Sequence, residues 1–176
     1  ILGVEGDPSI VWTLTRPVNQ KEAKVDGVEV NLQHNFGDSG YGFIANATFA
    51  SADVGYDNTN SLEGQFVLNG LSDSANLIGF YDKNKLQVRL AYNWRDDFLA
   101  GVGQGQGTTT NPTNVKAYGQ LDVGITYQAT ERLTVYFSGL NVTESTVHVY
   151  GLTQDQVLQA VQGGARYDIG LRYSFR

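Results

Sequence analysis

The chain has 176 residues, a length that suits one domain, and its 12 Lys plus Arg against 18 Asp plus Glu give a formal net charge of −6. This negative charge predicts no nucleic-acid partner, because non-specific binding to nucleic acid needs a basic surface. Cysteine is absent, which excludes disulfide scaffolds and thiolate metal sites, and no stretch approaches the ~18 consecutive apolar residues of a membrane helix.

Apolar and polar residues alternate along most of the chain, as they do in strands with one apolar and one polar face. In 85–95, for example, Leu86 and Val88 alternate with Gln87 and Arg89. The same pattern predicts eight strands, in chain order 10–16, 25–36, 41–52, 76–81, 85–95, 118–129, 132–141 and 166–175.

The predicted connections between strands alternate in length. We expect tight turns at 37–40, 82–84 and 130–131. We expect long polar loops at 53–75, 96–117 and 143–165. Short turns therefore lie at one edge of the predicted sheet and long loops at the other.

One helix is predicted inside the last long loop, over 154–162. Thr153 can serve as its N-cap, Gln156 completes a capping box, and Asp155 complements the helix dipole. We expect this helix to stiffen the loop rather than to bind a ligand.

Strands of this length, with short turns at one edge and long loops at the other, are typical of a transmembrane β-barrel. Ten residues at ~3.3 Å each, tilted by ~45°, span ~23 Å, close to the apolar band of an outer membrane. The predicted fold is therefore all-β, an antiparallel up-and-down barrel segment. Its expected lipid-facing side chains are Leu86, Val88, Leu90, Val123, Ile125, Ile169 and Leu171. The alternative is a soluble β-sandwich or lipocalin-like barrel whose apolar face points inward.

The last predicted strand resembles the C-terminal assembly signal of bacterial outer-membrane barrel proteins. That signal has a Gly, an aromatic residue three positions later and another aromatic residue two positions after that. Gly170, Tyr173 and Phe175 occupy these positions, whereas Arg176 departs from the pattern, since such chains usually finish on the aromatic residue. The resemblance implies the barrel-assembly machinery as a partner.

Several segments together resemble the C-terminal half of a TonB-dependent receptor, namely 88–97, 117–122, 133–143 and 163–167. The segment 22–29 is similar to the family's usual entry into a mid-barrel strand, and the branch most similar is that of proteobacterial receptors linked to carbohydrate uptake. The resemblance implies that residues 1–176 are the C-terminal part of the barrel domain. They would form about the last third of a barrel of about 22 strands closed by an N-terminal plug.

The resemblance also implies a location in the bacterial outer membrane. The implied partners are outer-membrane lipid, the remaining strands of the same receptor, a small-molecule cargo, and TonB acting through plug residues outside this chain. We expect the first and last strands to pair with strands outside this segment, because each unpaired backbone group in lipid costs several kcal/mol.

A polar cluster with an aromatic neighbour follows the predicted strand 85–95. Its residues are Asn93, Trp94, Arg95, Asp96 and Asp97. Planar polar side chains beside an aromatic face are what sugar binding needs, so the cluster is a candidate ligand site. The alternative is a structural ladder of Arg–Asp salt bridges with interfacial aromatic side chains.

Catalytic patterns are weak. His34 and His148 are the only histidines and fall on elements at opposite edges, and the Gly-rich stretch 101–107 lacks the dinucleotide-binding spacing. No metal-ligand pattern is visible. We therefore predict that the protein is not an enzyme and uses no cofactor and no metal.

Two functional classes remain open. The first is an outer-membrane receptor for TonB-energised uptake of a scarce solute, with an oligosaccharide favoured because the loops are rich in Asn, Gln, Thr and Gly. A siderophore is the main rival cargo. The second class is a small structural or adhesive barrel that closes on itself and presents its loops to partners.

Overall fold

The computed structural model describes residues 22–58, 65–105, 108–109 and 111–175, so the predicted strand 10–16 lies outside the described residues. The described residues contain one 3₁₀ turn, Gly37–Ser39, and no helix in them is long and apolar enough to cross a membrane. Their thirteen strands are β1 Val25–Asn35, β2 Tyr41–Ala52, β3 Ser74–Lys83, β4 Leu86–Arg95, β5 Phe98–Gly101, β6 Gln104–Gly105, β7 Thr108–Thr109, β8 Thr113–Val115, β9 Tyr118–Gln128, β10 Leu133–Leu140, β11 Thr146–Tyr150, β12 Val157–Gln162 and β13 Arg166–Tyr173.

Seven strands form one antiparallel sheet, here called the barrel sheet, in the order β1-β2-β3-β4-β9-β10-β13. Each strand pairs with the next barrel strand along the chain, so the sheet is an up-and-down meander without a crossover. The predicted all-β antiparallel fold is confirmed. Seven of the eight predicted strands agree with the observed strands to within two residues at each end.

The register gives the barrel sheet one apolar face. Val88 lies opposite Ile125, Ile125 opposite Phe137, and Phe137 opposite Ile169. Ile169 is 79% exposed and Leu171 is 70% exposed. Among the described residues the only buried hydrophobic side chains are Ile78, Ala91 and Val115. Nothing described covers the apolar face, so it has the character of a lipid-facing surface and not of the core of a soluble sandwich. All seven side chains predicted to contact lipid lie on this face.

Short turns connect β1 to β2 and β3 to β4, as predicted. Gly40 ends the first turn with a φ of 86°. Asn84 and Lys85 form the second with φ values of 53° and 70°, and two consecutive positive φ angles are typical of a tight hairpin turn. Both turns lie at the same edge of the barrel sheet.

The long connections at the other edge contain a second sheet, here called the loop sheet, in the order β12-β11-β8-β5. β5 and β8 belong to the connection after β4, and β11 and β12 belong to the connection after β10. Asn114 Nδ2 donates to the Gly151 carbonyl at 2.7 Å and joins the two connections. The sequence predicted polar loops here and missed these strands.

The helix predicted over 154–162 is wrong, because Val157–Gln162 forms strand β12 and pairs with β11. Gln156 closes a turn instead of a capping box. Its N–H donates to the Thr153 carbonyl at 3.0 Å, and its Oε1 accepts from the Leu152 N–H at 2.9 Å. The β-branched Val157 and Val161 favour a strand once β11 offers an edge for pairing.

The outer strands of the barrel sheet are β1 and β13, and they do not pair with each other. Each leaves one edge without a strand partner among the described residues. Because open edges are costly in lipid, pairing with strands outside the described residues remains our prediction.

Candidate functional site

Strand β4 leaves the barrel sheet at Arg95, and the predicted ligand-binding residues lie at this exit. Asn93 and Arg95 lie on the polar face, opposite Gln120 and Tyr118 of β9. Trp94 lies between them in sequence and therefore on the apolar face. Strand geometry thus separates the indole ring from its two polar neighbours.

Hydrogen bonds from the Arg95 side chain connect the end of β4 to the segment before β3. Its Nε donates to Ser72 Oγ at 2.8 Å, and its Nη2 donates to the Gly70 carbonyl. The guanidinium carbon lies 3.8 Å from the ring centroid of Phe98, a cation–π contact. The guanidinium therefore has partners on two sides within the chain.

Asp97 holds the two strand-containing connections together. Its Oδ1 accepts from the Ala117 N–H, and its Oδ2 accepts from Tyr150 Oη at 3.3 Å and from Gln154 Nε2 at 3.1 Å. Burial, reinforced by the charge of Asp97 and by this hydrogen bond, raises the pKa of Tyr150 above its ordinary value. Tyr150 thus stays a neutral hydrogen-bond donor at physiological pH.

Asp96 and Trp94 take different positions at the same exit. The Asp96 N–H donates to the Asp73 carbonyl at 2.9 Å, which ties β4 to the residue before β3. Trp94 borders an apolar depression of about 480 Å³ together with Leu77 and Tyr92. The structure therefore brings Arg95, Asp96 and Asp97 to the base of the long connections and leaves the indole on the outer face.

Hydrogen bonds, rather than the salt-bridge ladder considered from the sequence, hold this region together. The only ion pair among the described residues joins Lys24 Nζ to Asp26 Oδ2 at 3.1 Å. Within the same ranges, no group of three or more His, Asp or Glu side chains is placed to hold a metal ion.

A groove of about 290 Å³ lies beside the exit on the polar face, at residues that no sequence motif marks as a site. Asn46, Asn76 and Asn93 are among its lining residues. Asn76 Nδ2 donates to Asn93 Oδ1, whereas Asn46 Oδ1 and Asn76 Oδ1 are buried without a hydrogen-bond partner. The only sequence signal was an Asn at a polar position of each strand. The register that brings them together is a property of the folded sheet.

The residues of the predicted assembly signal lie on β13 and just after it. The ring of Tyr136 covers Gly170 across the strand pair and occupies the space that a side chain at that position would need. Tyr173 and Phe175 pack edge to face with centroids 4.8 Å apart, and Phe175 is 89% exposed. An outer strand with exposed aromatic side chains suits recognition by assembly machinery, which remains a prediction.

Comparison with known proteins agrees with this architecture. The family model described as TonB dependent receptor-like, beta-barrel matches residues 2–142. This range contains six of the seven strands of the barrel sheet, from β1 to β10. No curated protein and no solved structure matches the chain.

Proposed function

Because the chain belongs to the TonB-dependent receptor-like β-barrel family, we propose that it is the C-terminal part of a barrel that takes up a neutral oligosaccharide with energy supplied through TonB. The family supports the function of an outer-membrane receptor and transporter in Gram-negative bacteria, and it is not a family of enzymes. The observation that carries the proposal is the family match over a meander with one apolar and one polar face.

The charges at the strand exit support a neutral cargo. Arg95 is engaged by Ser72, Gly70 and Phe98, and Asp97 is engaged by three donors of the chain. Because Arg95 and Asp97 carry opposite charges at the same strand exit, they leave little net field for a strongly charged ligand. The unpartnered carboxamide oxygens beside them suit hydroxyl donors.

The proposed partners follow from the family. They are outer-membrane lipid on the apolar face, the remaining strands of the same receptor at the first and last strands of this segment, the barrel-assembly machinery, and TonB through plug residues outside this chain. The proposed ligand-contacting residues are Asn93, Arg95, Asp96 and Asp97. Trp94, which the sequence placed in the same cluster, lies on the outer face and is proposed to support them by fixing β4.

Cargo binding should weaken in the complete receptor when Trp94→Ala or Asp97→Ala is introduced, while the amount of folded barrel stays unchanged. Asp97 shapes the base of the long connections directly, whereas Trp94 acts by fixing β4 from the apolar face. The measurement is uptake and equilibrium binding of neutral oligosaccharides, with a ferric siderophore as the competing cargo. Unaltered binding in both variants would reduce these residues to structural roles, and selective siderophore binding would contradict the oligosaccharide proposal.

The long connections should face the cell exterior. Because the chain has no cysteine, a single Gly105→Cys or Asp38→Cys variant gives one reactive thiol within this segment. On intact cells a membrane-impermeant thiol reagent should label the variant at 105, in the connection after β4, and not the variant at 38, in a short turn. Labelling at 38 alone would reverse the proposed orientation.

A further inference from the structure

One row of carboxamide side chains crosses five strands of the barrel sheet on its polar face. The register pairs Asn31 with Asn46, Asn46 with Asn76, Asn76 with Asn93, and Asn93 with Gln120. We call these five residues the carboxamide row. With neighbouring strands ~4.8 Å apart, its four intervals extend over about 19 Å.

The middle of the row has hydrogen-bonding capacity that the described residues do not use. Asn46 Oδ1 and Asn76 Oδ1 are buried and have no partner, although Asn76 does donate to Asn93. A buried acceptor without a partner is costly, so such a group in a native protein calls for a donor from outside the described residues. Asn46 and Asn76 both line the groove on the polar face.

The surroundings of the row favour a neutral ligand. Arg95, one step toward the long connections, donates to Ser72 and Gly70. Asp122, one step in the opposite direction, accepts from Gln120 Nε2 at 2.7 Å and from the Asn141 N–H at 2.8 Å. Arg95 and Asp122 therefore already have partners in the chain, whereas Glu29, one step from Asn31 on the same side as Arg95, makes no ion pair with any described residue. Because Glu29 and Arg95 carry opposite charges along this line, little net field remains for a strongly charged ligand.

We propose that the carboxamide row is a binding track for a linear neutral oligosaccharide that lies across the neighbouring strands β1, β2, β3, β4 and β9. Each carboxamide offers both a donor and an acceptor, as each sugar hydroxyl does. A pyranose unit is close in length to the separation of neighbouring strands. In an extended peptide, successive side chains on the same side are ~6.6 Å apart, so their spacing does not match the ~4.8 Å between neighbouring members of the row.

A line of apolar side chains runs beside the row. Ile44, Ile78 and Ala91 are paired in register one step from the row on the same face. Tyr118, one step on the other side, adds an aromatic ring near Gln120. Carboxamides flanked by apolar surface match the alternating hydroxyl and C–H surfaces of a sugar ring.

This proposal rests on the proposed function, and its test uses the complete purified receptor with four probes: maltohexaose, cellohexaose, xylohexaose and chitohexaose. Asn46→Leu and Asn76→Leu keep the branched shape of the side chain and remove both hydrogen-bonding atoms. Each should weaken the Kd for the hexasaccharide that binds by about fivefold or more, the expected effect of one lost hydrogen bond. Gln33→Leu, on the same face but outside the row, should stay within about twofold. If the Leu variants do not fold, Asn46→Ser and Asn76→Ser replace them with the same expected direction.

The outcomes separate the two proposals. A hexasaccharide that binds the wild type and both row variants equally well would overturn the track and leave oligosaccharide uptake intact. A wild type that binds none of the four probes would overturn both. The row variants could instead leave the Kd unchanged and make cells that carry them more sensitive to vancomycin. That result would mean that the row contacts a protein segment in the lumen, and it would overturn the track.

Discussion

Replacing Val123 with Arg should destabilise the barrel by about 2–4 kcal/mol, the cost of a guanidinium at the midplane of a bilayer. Val123 is the central residue of β9 and lies on the apolar face, opposite Leu90 of β4. Water does not reach this position in a lipid-embedded barrel, so the charge loses its hydration without gaining a partner. Guanidinium-induced unfolding of the complete receptor in lipid vesicles measures the free-energy difference.

The next residue along the chain provides the matched control. Gly124 lies on the polar face, and a Cβ built at this position meets open space. Its φ is not in the left-handed region, so a side chain brings no backbone strain. Gly124→Arg should cost at most about 1 kcal/mol, mainly because Arg89 lies directly opposite. An equal cost at both positions would mean that the alternation does not mark a membrane boundary.

The barrel strands were predictable because each one has an apolar environment on one face and a polar environment on the other over its whole length. Leu86 and Val88 on one face and Gln87 and Arg89 on the other already distinguish these environments in the sequence. Prediction was least complete for β3, which extends two residues beyond each predicted end. Its outer residues pair with β4 through the backbone, whatever their polarity.

The interior of the long connections was not predictable from local pattern. The residues around Gln156 satisfy the sequence rules of a helix start, yet Val157–Gln162 pairs with β11. A pairing edge supplied by a distant segment outweighed the local preference, as tertiary context commonly does for short elements. The role of Asp97 escaped prediction for the same reason, since its hydrogen-bond donors Ala117, Tyr150 and Gln154 come from other parts of the chain.

The candidate site also has a part that the sequence predicted and a part that it did not. The sequence indicated that Asn93 and Arg95 point to the polar face, because both follow from alternation. It did not indicate that Asn46 and Asn76 join Asn93 in one row, because that depends on the register between three strands. A shift of one residue in either pairing would move the Asn of one strand to the opposite face.

Asp97→Ala should loosen the loop sheet while leaving the barrel sheet intact. The substitution removes an ionised acceptor from three donors, two of them side chains of the connection after β10. Hydrogen bonds to charged groups contribute about 1.5–3 kcal/mol, so a local loss of about 2 kcal/mol is expected. Amide hydrogen exchange in β8 and β11 should accelerate by about 30-fold, whereas exchange in β9 and β10 should not change.

Asp96→Ala supplies the control for this prediction, because it removes the same charge one residue earlier. Among the described residues the Asp96 carboxylate makes no hydrogen bond or ion pair, and its contact with Asp73 runs through the backbone. Equal exchange rates in the two variants would show that net charge, rather than the Asp97 contacts, stabilises the loop sheet. Asp97→Ala, unlike Asp96→Ala, is expected to accelerate exchange. If it also weakens cargo binding, the Asp97 carboxylate acts by positioning the long connections. Weakened binding with unchanged exchange would instead place the Asp97 carboxylate in direct contact with the cargo.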